Sequence, residues 1–122
     1  MTTRETILII DNRRDNIELL ADNVLRPNGY GVSVAYDGEE GLARALDERP
    51  DLIITDLKMP GMDGLEVCKK IQQDEHLSHI KIVIISGFTS IYDEELEKLG
   101  VAVILEKPFT FSELNEKLNK FL

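Results

Sequence analysis

The sequence predicts an α/β fold in which a doubly wound sheet of five parallel strands is covered by helices on both faces. Three observations carry that prediction. Five short, mostly apolar runs recur along the chain, at Ile7–Ile10, Val32–Val34, Leu52–Ile54, Ile82–Ile85 and Val101–Leu105. All but the second are continuous, as strands buried on both faces are. Between and after them lie segments whose apolar residues fall at helical spacing, and such alternation is the signature of parallel strands joined by right-handed helical crossovers. Finally, several runs stop abruptly at a polar residue: Asp11, Asp56, Ser86 or a residue just before Lys107.

The totals are compatible with one domain over residues 1–122, long enough to bury a core without staples. Lys and Arg number 14 against 23 Asp and Glu, a net charge of -9. That charge repels phosphate backbones and anionic lipid, so direct nucleic-acid or membrane contact is not expected. The single cysteine, Cys68, cannot form an internal disulfide, and there is neither a signal peptide nor an apolar run of membrane-spanning length; the expected location is cytoplasmic. No repeat, linker or low-complexity tract interrupts the chain.

Taken in order, Ile7–Ile10 is the first strand and ends at Asp11-Asn12. Ile17, Leu20, Ala21, Val24 and Leu25 mark the first helix, with Asp15 as its expected N-cap and Pro27 and Asn28-Gly29 as its end. Val32 and Val34 alternate with Ser33 in the second strand. Asp37-Gly38 then turns the chain into a helix carrying Leu42, Ala43, Ala45 and Leu46, in which Gly41 costs about 1 kcal/mol relative to alanine. The third strand ends at Asp56, and Met59-Pro60-Gly61 and Asp63-Gly64 break regular structure behind it. Leu65, Cys68 and Ile71 share one face of the third helix. His76 and His79 fall in a polar connection and lack the further ligands a metal site needs. After the fourth strand, Ser86-Gly87 supplies small residues, and Ser90-x-x-Asp93 resembles a capping box for a helix through Leu99, closed by Gly100. The fifth strand runs into Glu106-Lys107-Pro108-Phe109. Thr110-x-x-Glu113 opens a last helix bearing Leu114, Leu118, Phe121 and Leu122 on one face.

A parallel sheet brings its carboxyl ends to one edge, so Asp11, Asn12, Asp56, Ser86 and Lys107 are expected together. The second strand's end, Tyr36-Asp37, is expected to point away from that cleft, because the strand lies at the sheet's edge. Carboxylates beside an amide oxygen suit a hard divalent cation such as Mg²⁺, while a lysine and a hydroxyl suit phosphoryl oxygens. That set describes phosphoryl transfer to a carboxylate. A hydrolase of the Asp-x-Asp kind is disfavoured, since Arg13 and Lys58 occupy the places of its second acid, and no glycine-rich phosphate loop follows a strand.

The acid-bearing end of strand one, the Asp-x-x-Met-Pro-x-Met-Asp-Gly stretch from Asp56, the hydroxyl at Ser86 and Lys107-Pro108-Phe109 together resemble the receiver domain of two-component response regulators, from Ile7 to Leu122. The resemblance implies a (βα)5 flavodoxin-like fold with strand order 2-1-3-4-5. It implies that Asp56 is the phosphoacceptor for a histidine kinase or phosphotransfer protein, and that the chain is a regulatory module assisting its own phosphotransfer and not a conventional enzyme. Asp11, Asn12, Asp56 and the Lys58 backbone carbonyl would hold Mg²⁺. Ser86 and Lys107 would contact the phosphoryl group, and the Lys107-Pro108 bond would be cis. Output would pass through the face of the fourth helix and fifth strand to a downstream protein or output domain, from a monomer or a phosphorylation-dependent dimer. Two positions depart from the pattern. Asn12 stands where the family has a second acid, which predicts weaker Mg²⁺ binding, and Ile104 stands where it has an aromatic switch residue. These departures leave a second reading open, a pseudo-receiver that acts as a phosphorylation-independent interaction module.

Overall fold

The computed structural model describes residues 5–86, 98, 103–106 and 110–121. Its five strands are β1 (Thr6–Ile10), β2 (Gly31–Ala35), β3 (Leu52–Asp56), β4 (Lys81–Ser86) and β5 (Val103–Glu106). They form one sheet in the order β2-β1-β3-β4-β5, and every neighbouring pair is parallel. The expected strand order and direction therefore hold.

Strand periodicity divides the core in two. Leu8, Ile10, Ile53, Ile82 and Ile84 project to one face of the sheet and pack with Val67, Cys68 and Ile71. Ile7, Ile9, Leu52, Ile54, Val83 and Ile85 project to the other and pack with Ile17, Leu20, Val24, Leu25, Leu114 and Leu118. Because β1, β3 and β4 are buried on both faces, their sequences read as continuous apolar runs. β2 is half-buried along most of its length, as an edge strand is, and its sequence alternates accordingly.

Helix α1 (Arg14–Leu20) continues through one π-helical turn at Ala21–Leu25 and a 3₁₀ turn at Arg26–Asn28, and Gly29 at φ 89° ends it. Asp15 is not its cap. The N-cap is Arg13, whose side chain makes no capping bond, and Asp15 lies in the first turn. The reason is local: the Asp11 carboxylate accepts the Arg13 amide at 2.9 Å, an Asx-type turn that starts the helix early. Helix α2 (Gly38–Glu48) is capped by Asp37, which accepts the Glu40 amide at 2.7 Å. Gly41 is needed there, since a Cβ would meet Ile10 Cδ1 at 2.4 Å; the helix lies directly on β1. Helix α3 (Gly64–Gln73) is capped by Asp63, and Leu65, Cys68 and Ile71 are buried as the spacing predicts.

His76 and His79 are exposed in the turn behind α3. The predicted helix from Ser90 to Leu99 lies outside the described residues except for Lys98, which is helical. The last helix, Phe111–Phe121, opens as expected: the Glu113 amide donates to Thr110 Oγ1 at 3.1 Å, and the Thr110 hydroxyl donates to the Glu113 carboxylate at 3.3 Å. Asn28 Nδ2 ties the end of the first helical segment to this helix through Asn115 Oδ1 at 2.9 Å.

Candidate functional site

Register sets the geometry at the carboxyl edge of the sheet. Ile9 pairs with Ile54 and Ile10 with Thr55, so one step further Asp11 stands beside Asp56. Side chains alternate along a strand, and both acids therefore share the face of Ile9 and Ile54. The strands carrying them run about 4.8 Å apart. Asp11 is 6% exposed and Asp56 8%; with Thr55 they are the buried polar side chains among the described residues. Two buried carboxylates on adjacent strands form an acidic pair suited to a positively charged group.

The backbone around Asp56 is tightly fixed. The Leu57 amide donates to the Ile85 carbonyl at 3.1 Å, which carries the β3–β4 ladder past the acid, and the Gly64 amide donates to the Leu57 carbonyl at 2.8 Å. The Thr55 hydroxyl donates to the Asp56 carbonyl at 3.0 Å. On another side of that carbonyl, a Cβ on Gly64 would sit 2.3 Å from the oxygen. The start of α3 is thus pressed against the residue that precedes the turn. Lys58 is exposed in that turn, whereas Leu57 and Met59 on either side of it are buried and anchor it.

Of the other expected residues, Asn12 is exposed immediately after Asp11. Ser86 ends β4 and pairs with Glu106, the last residue of β5 and the one before Lys107. Ile104 pairs with Ile84 within β5. Lys107 and Pro108 lie outside the described residues. Among the described residues no three His, Cys, Asp or Glu side chains gather at metal-binding spacing. Two carboxylates stand at the edge, and Asn12 and Lys58 follow them by one and two residues in sequence; with the Asn12 amide and the Lys58 carbonyl added, the set would be all oxygen and would fit a hard divalent cation retaining several waters.

The edge strand contributes more than its position suggests. The Asp11 amide donates to the Ala35 carbonyl at 3.1 Å, which continues the β1–β2 register so that Tyr36 lies beside Asp11. Tyr36, like Val32 and Val34, packs against the core on the face of Ile9, so by register Tyr36, Asp11 and Asp56 form one row across three strands. The Arg14 guanidinium lies over the Tyr36 ring, 4.5 Å from its centroid. An exposed contact of this kind contributes about 0.5–1 kcal/mol. The end of the second strand thus stands two strands from Asp56 and in register with Asp11. No local pattern could have revealed the pairing, because Arg14 and Tyr36 meet only through strand order.

Comparison with known proteins points one way. The sequence profile of the response regulator receiver domain matches residues 7–119. The alkaline phosphatase synthesis transcriptional regulatory protein of Bacillus subtilis is 36% identical over 121 residues, covering 95% of this chain and 48% of that protein. The chain thus spans about half the length of that relative. The sporulation initiation phosphotransferase F of the same organism is 32% identical over 119 residues, 97% of this chain and 94% of that one. A chemotaxis protein of Vibrio cholerae superposes with a TM-score of 0.91 at 30% identity, covering 98% of this chain and 100% of the other. The response regulator TrrA of Thermotoga maritima, solved in complex with Mg²⁺ and BeF, gives 0.85 at 34% identity, with 97% and 99% covered. Among the described residues no helix is long and apolar enough to cross a membrane.

Proposed function

The chain belongs to the response regulator receiver domain family of two-component signalling, and from that membership we propose that it is a phosphoacceptor switch whose Asp56 takes a phosphoryl group from a histidine kinase or a phosphotransfer protein. The observation that carries this reading is the row that sets buried Asp56 beside buried Asp11 at the carboxyl edge of the sheet. In the transfer an Asp56 carboxylate oxygen attacks phosphorus, the P–N bond to the donor imidazole breaks, and the imidazole leaves and takes up a proton. The fixed backbone of Asp56 holds the nucleophile in one orientation, which lowers the entropic cost of an in-line approach. Ser86 and Lys107 are assigned to the phosphoryl oxygens, the hydroxyl as donor and the ammonium as counter-charge. Asp11, Asn12, Asp56 and the Lys58 carbonyl would hold Mg²⁺, which when bound supplies further positive charge to those oxygens.

Receiver domains are regulatory, and in this reading the product is a conformational signal and not a released metabolite. Drawing Ser86 and the chain after it toward a phosphorylated Asp56 shifts the population of the surface that includes β5, and a downstream protein or output domain reads the shift. Incubation with Mg²⁺ and phosphoramidate should add one phosphoryl group, read by intact mass, and Asp56→Asn should add none. Failure of every donor and of the cognate kinase to label the wild type would overturn the proposal. Asn12 favours one competing reading, a module that signals by binding alone. Partner affinity indifferent both to phosphorylation and to Asp56→Asn would establish that reading instead.

A further inference from the structure

We propose that Arg14, held in place by the Tyr36 ring, is a phosphoryl-binding residue of the Asp56 site and supplies there positive charge that does not depend on a metal ion. The inference rests on the phosphoacceptor reading and adds to it a residue that the sequence pattern does not single out. Three observations converge. The guanidinium sits 4.5 Å over the Tyr36 ring, and Tyr36 occupies the same row and sheet face as Asp11 and Asp56, one strand from the first acid and two from the second. At strand spacing that sets the tyrosine backbone about 10 Å from that of Asp56, within reach of a long arginine side chain and a phosphoryl group that meet between them.

The second observation is a local rule broken. Arg14 is the first residue of α1 and follows Arg13, an N-cap whose side chain makes no capping bond. The positive end of that helix is served by Asp15 in its first turn and by the Asp11 carboxylate on the Arg13 amide, so neither arginine is there to stabilise the helix start, where a cation is disfavoured. The third is Asn12. One negative charge fewer at the cation site lowers its hold on Mg²⁺, and a guanidinium in the same row offers planar, permanent charge to the same phosphoryl oxygens. Tyr36 is then a positioning residue: its ring fixes the arm that would otherwise move freely in solvent.

The test is phosphorylation by phosphoramidate, with EDTA and separately with saturating Mg²⁺, read by intact mass. Asp56 forms a bond to phosphorus, the P–N bond breaks, and the already protonated nitrogen departs as ammonia. The wild type should be labelled in EDTA, more slowly than with Mg²⁺. Arg14→Gln should lower the EDTA rate by about 10-fold, the effect of losing one charge-assisted contact, and the Mg²⁺ rate by less. Tyr36→Phe, which keeps the ring, should retain the EDTA rate, and Tyr36→Leu should behave like Arg14→Gln. The proposal is overturned if Arg14→Gln or Tyr36→Leu matches wild type in EDTA. An equal fall in both conditions, which marks a merely structural role, overturns it too. Wild type labelled only with Mg²⁺ likewise overturns it but leaves the phosphoacceptor reading intact; no labelling in either condition overturns both.

Discussion

At the carboxyl end of β1 an amide follows a carboxylate, and in the proposed cation site that residue brings one negative charge fewer than an acid would. Asp11 already uses one oxygen to accept the Arg13 amide, and Asn12 beside it can offer a cation only a neutral oxygen. Restoring the acid with Asn12→Asp should tighten Mg²⁺ binding by about 10-fold, judged against the losses that even outer contacts of a metal produce. Calorimetric titration with Mg²⁺ checks it, and an unchanged affinity would show that the amide is not a ligand. The acids themselves were legible in the sequence, because each ends an apolar run, which places it at the carboxyl edge of a parallel sheet; their burial was not. Arg14 was not legible: an arginine at a helix start reads as solvated, and only its seat on Tyr36 distinguishes it.

Among the described helices, α3 abuts the Asp56 backbone directly. Asp63 caps it by accepting the Glu66 amide at 2.9 Å, and Gly64 allows its first turn to touch the Asp56 carbonyl. Gly64→Ala should therefore destabilise the protein by about 1–3 kcal/mol, the range for forcing atoms into a packed space, and should also slow labelling of Asp56 by shifting its backbone. Urea unfolding measures the first effect and phosphoramidate labelling the second. A midpoint and a rate both equal to wild type would mean that the helix can retreat without cost. The Asp63-Gly64 pair is visible in sequence as a turn, but a turn signal does not say what the turn is pressed against. The same holds for Gly41, which reads as a weak point in α2 and is the place where that helix meets Ile10. Element type was readable because period two and period 3.6 are properties of consecutive residues. Helix starts were less so: the cap of α1 moved from Asp15 to Arg13 because a carboxylate two residues before Arg13 bonded its amide.

For the molecule as a whole, stability rests on the two apolar layers that sandwich the sheet, and Cys68 lies inside one of them. Burial, and secondarily the charge of Asp63, pushes its thiol from 9.0 up to about 12. The unfolded chain loses that proton first as the pH rises, so the contribution is fully present below pH 9 and is lost as the pH climbs through the folded value. Wild type should thus lose stability relative to Cys68→Ala above pH 9, on the order of 2 kcal/mol by pH 11. Tyr30, whose phenol is also raised by burial and by Glu5, acts in the same sense in both proteins and drops out of the difference. Urea midpoints of the two proteins across pH 8 to 11 provide the check, and parallel curves would refute it.

By itself the sequence determined the kinds of element, their alternation, the two-faced burial of β1, β3 and β4, and the acids that end β1 and β3. All of these follow from the spacing of neighbouring residues, which is what a local pattern records. Only the tertiary structure decided that Asp11 and Asp56 share a row and a face, that Gly64 abuts the Asp56 carbonyl, and that the Arg14 guanidinium lies over the Tyr36 ring. The physical reason is that lateral order in a parallel sheet is set by hydrogen-bond ladders between strands joined by long crossovers. Residues that meet across those ladders leave no periodic trace along the chain.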